Sequence, residues 1–293
     1  MAEIIFQSKL DAQKLYNHLL KYVPYNPMNE TILLLEDRHI VKIVDICFST
    51  ALFDRVKSAF YQFITNTKRD HWFREIVRDH YYYTDMEEQQ QIIDIIYSIL
   101  DGQREDLAVL LKEINEEPNL ISEAIDEILH ENVTFSFDSF VKFRLRSYLQ
   151  ALESYVEIAI DEYKMEQEYQ MFVHMLRDFL VNREPKMDTL HLLFDEEITF
   201  FNEDFVEIKR GELTRLIDRR LLVNHPVYVD SASIAPLLSL APTSIFIYTK
   251  DPDEPLVRTI KNIFEERVTL KEYGALREIK KWTTEKNSSE NHA

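Results

Sequence analysis

The sequence predicts a helix-dominated α+β fold: an N-terminal strand-helix-strand-strand unit, a central helical region with one long helix, and a C-terminal α/β half. Three observations carry this. Short runs rich in Ile, Val, Leu and Phe sit near both ends, the spacing of apolar residues between them is helical, and that middle stretch, 49–184, holds only Gly102 and Pro118 as helix breakers. The hydrophobic share of 45%, with 18 Phe and 15 Tyr, is enough to build cores and lies far from the composition of disordered chains.

Ile4-Ile5-Phe6 reads as the first strand, and Leu10, Leu15, Leu19, Leu20 and Val23 form a helical stripe that Pro24 and Pro27 end. Thr31 to Glu36 and His39 to Ile46 read as two strands joined at Asp37-Arg38 by a tight hairpin. From Ser49, Leu52, Val56, Ala59, Phe60, Phe63 and Ile64 fall on one face, continued by Trp72, Phe73, Ile76 and Val77, as one long helix or two short ones. Helices follow at Met86 to Leu100, Glu105 to Asn115 and Leu120 to His130, with Asp85 and Asn119 as expected N-caps of the first and third.

The longest helix is expected over about 138–184, from an Asp138 N-cap to the stop at Pro185, roughly 70 Å at 1.5 Å per residue. Its apolar stripe lapses at Glu166 and Gln167, so a bend is expected near Lys164 to Glu168. Beyond Pro185 come strands at Thr189 to Phe194, Ile198 to Phe201 and Phe205 to Ile208, then helices at Glu212 to Leu222 and Ser233 to Leu240. A strand at Ser244 to Tyr248, a helix at Pro255 to Glu266 and a strand at Val268 to Leu270 close the pattern, an order that favours parallel pairing of the last two strands. The domains expected are 1–187, α-rich, and 188–282, α/β, followed by a polar, disordered tail at 283–293.

The net charge of −18 repels polyanions, so neither nucleic acid nor an anionic membrane surface is an expected partner. Residues 85–131 hold fourteen acidic side chains against Arg104 and Lys112, which is where a basic protein partner would be steered. Solvated helix faces account for the same charges. Cys47 stands alone in an apolar run and reads as buried and inert, in keeping with a reducing compartment. The start, Met1-Ala2-Glu3-Ile4, lacks a basic segment, so no signal peptide and a cytoplasmic location are expected. Ser231 to Tyr248 is apolar enough to suggest a membrane span, but Pro236 and Pro242 divide it into a short helix and a buried strand.

Three glycines, at 102, 211 and 274, leave no place for the glycine-rich loops that cradle phosphates or form nucleophile elbows. No nucleotide or other cofactor is expected. For a metal, the nearest arrangement is the i, i+4 series Glu162, Glu166, Gln170, His174, Asp178, in which Glu166, His174 and Asp178 are the candidate ligands; an exposed helix edge has the same spacing and is the preferred reading. For catalysis, His191, Asp195 and Glu196 near a strand end are the local group that could do acid-base work, against the alternative of a surface turn. Between Arg55 and Tyr83, Lys68, Arg69, Arg74 and Arg78 interleave with Trp72, Phe73 and Tyr81 to Tyr83, a composition that can bind single strands, although Asp54, Asp70, Glu75 and Asp79 offset its charge. Lys142, Arg144 and Arg146 form a second basic cluster.

The stretch Phe143-Arg-Leu-Arg-Ser-Tyr-Leu, with Asp161-Glu-Tyr-Lys-Met-Glu-Gln-Glu-Tyr, Arg183-Glu-Pro-Lys-Met and Leu190-His-Leu-Leu-Phe, resembles the sporulation protein YtxC family of endospore-forming Bacillus relatives. Ile234-Ala-Pro-Leu-Leu-Ser-Leu-Ala-Pro followed by Ile245-Phe-Ile-Tyr is similar to its C-terminal half. The resemblance implies a cytoplasmic bacterial protein associated with spore formation, and it brings no reaction, cofactor or catalytic residue. The function expected is therefore a non-enzymatic interaction or regulatory scaffold protein with a protein partner, self-association remaining open. An enzyme using the His191 group and nucleic-acid binding through 55–83 stand as alternatives.

Overall fold

A computed structural model of the chain describes residues 2–23, 31–44, 50–111, 117–129, 133–181, 183–218 and 232–276. Cys47, His130, the expected tail at 283–293 and the helical stretches expected at 112–115 and 219–222 lie outside the described residues. The fold is α+β and helix-dominated, with two small mixed sheets and one long helix. It separates into two compact units, Met1–Met165 and Glu166–Ala293.

In the first unit, β1 (Ala2–Ile5), β2 (Ile32–Leu35), β3 (Ile40–Ile43) and β4 (Val133–Ser136) form a sheet of order β2-β3-β1-β4. The β2-β3 hairpin turns through Glu36–Arg38 and His39, whose φ of 54° closes the turn. β4 has no counterpart among the strands expected from the sequence. Its partner β1 runs parallel to it, with Ala2 opposite Val133 and Ile5 opposite Ser136, so the pairing joins segments remote in sequence. Helix α1 (Lys9–Tyr22) starts on Ser8, whose hydroxyl accepts the Asp11 N–H at 3.3 Å.

From Thr50 to His80 the chain is helical without interruption, as α2 (Thr50–Phe63), α3 (Arg69–Glu75) and two π turns, Ile64–Lys68 and Ile76–His80. Each π turn takes an extra residue into the helix and resets which side faces inward. In the first, the Thr65 hydroxyl donates to the Tyr61 carbonyl at 3.1 Å, and Thr65 and Lys68 become buried among apolar neighbours. The second presents Asp79 and His80 on the same side as Trp72 and Ile76.

Helix α4 (Met86–Leu100) has the expected cap: one Asp85 oxygen accepts the amides of Glu87 and Glu88 at 2.9 and 3.0 Å. A short α5 (Glu105–Ala108) precedes α6 (Glu117–Ile128). Asn119 lies inside α6, which corrects its assignment as a cap; Pro118 is tolerated in the first turn, where its missing N–H has no intrahelical partner anyway.

The long helix also differs from the expectation. Helix α7 (Phe137–Arg144) and α8 (Arg146–Val181) are separate, because Leu145 leaves helical geometry at φ −92°, ψ 15° and bonds back to Phe140 O instead of the carbonyl four residues earlier. Ser136 caps α7 by accepting the Ser139 N–H, while Asp138, the expected cap, takes the Gln7 N–H at 3.3 Å. Helix α8 runs unbroken through 164–168. The lapse in its apolar stripe marks a change of core: Tyr163 and residues before it pack in the first unit, and those from Val173 onward in the second.

The first core centres on phenylalanines: Phe6 stacks on Phe137 at 4.9 Å between ring centroids, Phe63 meets Phe137 at 5.6 Å and Phe60 meets Phe140 at 5.5 Å. Truncating any one of these to Ala is expected to cost about 3–5 kcal/mol.

In the second unit, β5 (Thr189–Phe194), β6 (Ile198–Phe201), β7 (Glu207–Ile208), β8 (Ser244–Thr249) and β9 (Val268–Glu272) lie in the order β7-β6-β5-β8-β9. β5, β8 and β9 are mutually parallel, as expected for the last two strands, and the connections between them pass through α9 (Arg210–Leu216), α10 (Ile234–Leu240) and α11 (Pro255–Phe264). Leu190, Leu192, Ile245 and Ile247 face the C-terminal part of α8, with α10 and α11, and build the second core. Helix α10 is buried on every side, which explains why its sequence resembles a membrane segment. No helix among the described residues is long and apolar enough to cross a membrane.

Candidate functional site

Alternation along β5 places Leu190 and Leu192 on the core face and His191 and Asp195 on the other. His191 is buried. Its ring lies between Phe205 at 4.2 Å and Phe246 at 5.1 Å, and Nδ1 is 3.1 Å from Tyr248 Oη. Burial pushes the imidazole pKa down and the Tyr248 hydroxyl up, so both groups are neutral at pH 7. Asp195 lies about 13 Å further along the strand. It accepts from Tyr273 Oη at 2.6 Å and pairs with Lys250 at 3.3 Å, while Lys250 sits 4.2 Å over the Tyr273 ring. Glu196 is exposed in the turn after β5. The fold brings Asp195 to a lysine and a tyrosine and does not bring the three candidates together.

The candidate ligands on α8 are solvated. Glu166 accepts from Gln170 at 2.6 Å, and His174 approaches Asp178 only to 3.5 Å, with the two side chains 76% and 66% exposed. Glu162, at the head of the same series, is engaged by Arg104 at 2.7 Å. Among the described residues no three His, Cys, Asp or Glu side chains converge as a metal site would require.

Lys68, Arg69, Arg74 and Arg78, the candidate cations of 55–83, are all engaged within the fold. Lys68 reaches Asp11 at 2.9 Å, Arg74 bonds to Asp70 and Gln90 at 3.0 and 2.9 Å, Arg78 pairs with Asp79 at 2.7 Å, and Arg69 lies 5.9 Å from the Tyr97 ring. Trp72 and Phe73 are in the core. Tyr81 donates to Glu157 at 3.0 Å, and burial, followed by this bond, pushes its pKa up to about 12. Tyr83 packs edge-on against Tyr163 at 5.9 Å.

Tyr82 is the exception. Its φ is 62°, in the left-handed region that bulky side chains avoid, and the residue is 81% exposed. Met86, at the start of α4, is 68% exposed. Within the acidic stretch that follows, Asp85 is used as a cap, Asp126 and Glu127 pair with Lys57 and Arg144, and Glu88 accepts from Tyr163. Glu87, Asp101, Glu105 and Glu123 remain exposed and make no ion pair among the described residues. Nothing in the run Tyr81-Tyr82-Tyr83 tells which ring faces solvent, because the backbone reversal that turns it outward is set by Tyr83 N–H bonding to Val77 O across the second π turn.

A cavity of about 440 Å³ opens in the first unit between the Trp72 to His80 segment and the α7-α8 junction. Trp72, Ile76 and Leu149 supply its apolar surface, with Lys142 and Arg146 on its rim. Both cations stand out in the sequence as members of a basic cluster, whereas the helical stripe there assigns Trp72 and Ile76 to the core alone.

A family model described as the YtxC-like family matches residues 54–269. Over 271 residues the chain is 34% identical to "Uncharacterized protein YtxC" of Bacillus subtilis (strain 168), a match covering 92% of this chain and 94% of that protein. No solved structure matches the chain.

Proposed function

This chain belongs to the YtxC-like family, and from that premise we propose that it acts as a non-enzymatic interaction protein in the bacterial cytoplasm, serving spore formation by holding a basic protein partner. Tyr82 is the observation that supports this reading. A left-handed backbone at a tyrosine costs about 1–3 kcal/mol, and here that cost accompanies an exposed aromatic side chain shortly before exposed Met86 and exposed Glu87 in the sequence. Exposed aromatic and Met side chains are the residue types that anchor protein interfaces. The acidic residues that continue through α4 to α6 would draw a basic surface onto them.

The test uses Tyr82→Gly, since glycine adopts this φ without strain. Affinity capture from sporulating cells with the wild-type chain should recover a specific basic protein that cross-links near Tyr82. The substituted chain should lose it while melting at the same or a higher temperature. Capture of the same partner by both chains would discard this surface, and failure of the wild type to recover any specific partner would discard the function.

A further inference from the structure

We propose that the cavity between the second π turn and the α7-α8 junction binds a small organic anion with an apolar body, its charged group held by Lys142 and Arg146. The cavity, about 440 Å³, falls in the range of small-ligand sites. Three acidic side chains also line it: Asp79 forms an ion pair with Arg78 at 2.7 Å, and Glu75 and Glu153 approach the imidazoles of His71 and His80 at 3.3 and 3.0 Å. Lys142 and Arg146 make no ion pair among the described residues, whereas their neighbour Arg144 is taken by Glu127 at 2.7 Å. The charged groups left without an ion pair are thus Lys142, whose ammonium lies 5.6 Å over the Phe143 ring, and Arg146, beside the Gln150 side chain, in a chain whose net charge is −18.

Position reinforces charge. Arg146 is the first residue of the 36-residue helix α8, whose N-terminal partial charge favours an anion near it. Glu153 and its His80 partner stand about 10 Å further along α8, outside contact with an anion at Arg146. Trp72, Ile76 and Leu149 offer the apolar surface that a ring or short aliphatic chain needs. Ile76, Asp79 and His80 follow Trp72 at i+4, i+7 and i+8, the helical spacing that sets all four on one side. This site is separate from the Tyr82 surface, and its test does not depend on that one.

The probe is 8-anilinonaphthalene-1-sulfonate, an aromatic anion, titrated against full-length protein in which Trp282→Phe leaves Trp72 as the sole tryptophan. Saturable quenching of Trp72 is expected, weakening with added salt. The Lys142→Gln/Arg146→Gln double variant should weaken binding at least tenfold with unchanged melting temperature. Lys142→Arg/Arg146→Lys should retain it, and Arg144→Gln should leave it unaltered. The uncharged N-phenyl-1-naphthylamine should bind at least tenfold less tightly. Absence of saturable quenching, or equal binding by the Gln double variant or by the uncharged probe, would overturn the proposal.

Discussion

Lys68 Nζ lies 2.9 Å from Asp11 Oδ2, an ion pair that spans 57 positions and ties the first π turn to α1 with side chains only 10% and 21% exposed. The ammonium also sits about 6 Å from the rings of Trp72 and Phe137. Without its carboxylate the lysine would keep a largely desolvated charge. Asp11→Ala should therefore cost about 2 kcal/mol in urea unfolding, and the double change Asp11→Ala/Lys68→Met should recover most of that loss. A double variant as unstable as the single one would show that the pair is worth more than the desolvation it entails.

His191 gives a pH signature. Burial holds its imidazole below the ordinary value near 6.5, so the unfolded chain binds protons more readily than the folded one. Stability from this group is complete well above that value and falls as pH drops through about 6.5. His191→Phe keeps the stack with Phe205 and Phe246 but loses the bond to Tyr248, at a cost of about 1 kcal/mol at pH 8. Near pH 5.5 the variant should close the gap with wild type, because it has no imidazole to protonate. His18, also lowered by burial, is common to both chains and cancels in the comparison. A gap of the same size at both pH values would mean that His191 is not held neutral.

The two expected caps should separate cleanly. Asp85→Ala removes the acceptor of two amides at the head of α4 and should cost about 1 kcal/mol. Asn119, exposed and inside α6, should be neutral to slightly stabilised by Ala, which has the higher helix propensity. Chemical unfolding of the two variants side by side decides it.

At Glu265 the backbone adopts φ 49°, ψ −122°, a conformation suited to glycine. Its ion pair with Arg177 at 2.8 Å is exposed and worth at most about 1 kcal/mol, and Arg177 retains two bonds to the Asn262 carbonyl at 2.8 and 2.7 Å. Glu265→Gly should raise stability by about 1 kcal/mol as strain is relieved. A drop in melting temperature would show that the ion pair matters more than the strain.

Local pattern in the sequence located most of the elements. β5 and β6 fall where alternation and apolar runs place them, and α4 matches both its period and its Asp85 cap. What escaped depends on distant partners. β4 is four residues long, too short for a period, and exists because β1 is there to pair with it. The break at Leu145 is silent because that side chain is fully buried and the stripe resumes in step after it. The lapse at Glu166 and Gln167 was visible, but a change of core and a bend leave the same mark. Among the site residues, His191 is legible in the sequence as a polar residue near a strand end, while the rings that enclose it come from Phe205 and Phe246, outside its strand. The cluster at Lys142 to Arg146 was visible as charge. Which of its members lacks a partner is fixed only when Glu127 reaches Arg144.

The parallel pairing of β1 with β4 sets a timetable for synthesis. Ala2 and Val133 are 131 positions apart, so at typical translation speeds of about 5–20 residues per second the first strand waits roughly 7–26 s for its outer neighbour. Through that interval one hydrogen-bonding edge of β1 is open on the ribosome-bound chain, even once the β2-β3 hairpin has docked against the other. Nascent chains stalled before residue 133 should accordingly bind trigger-type chaperones and be cut by protease near β1, and chains stalled far enough beyond residue 136 for it to clear the exit tunnel should lose both traits.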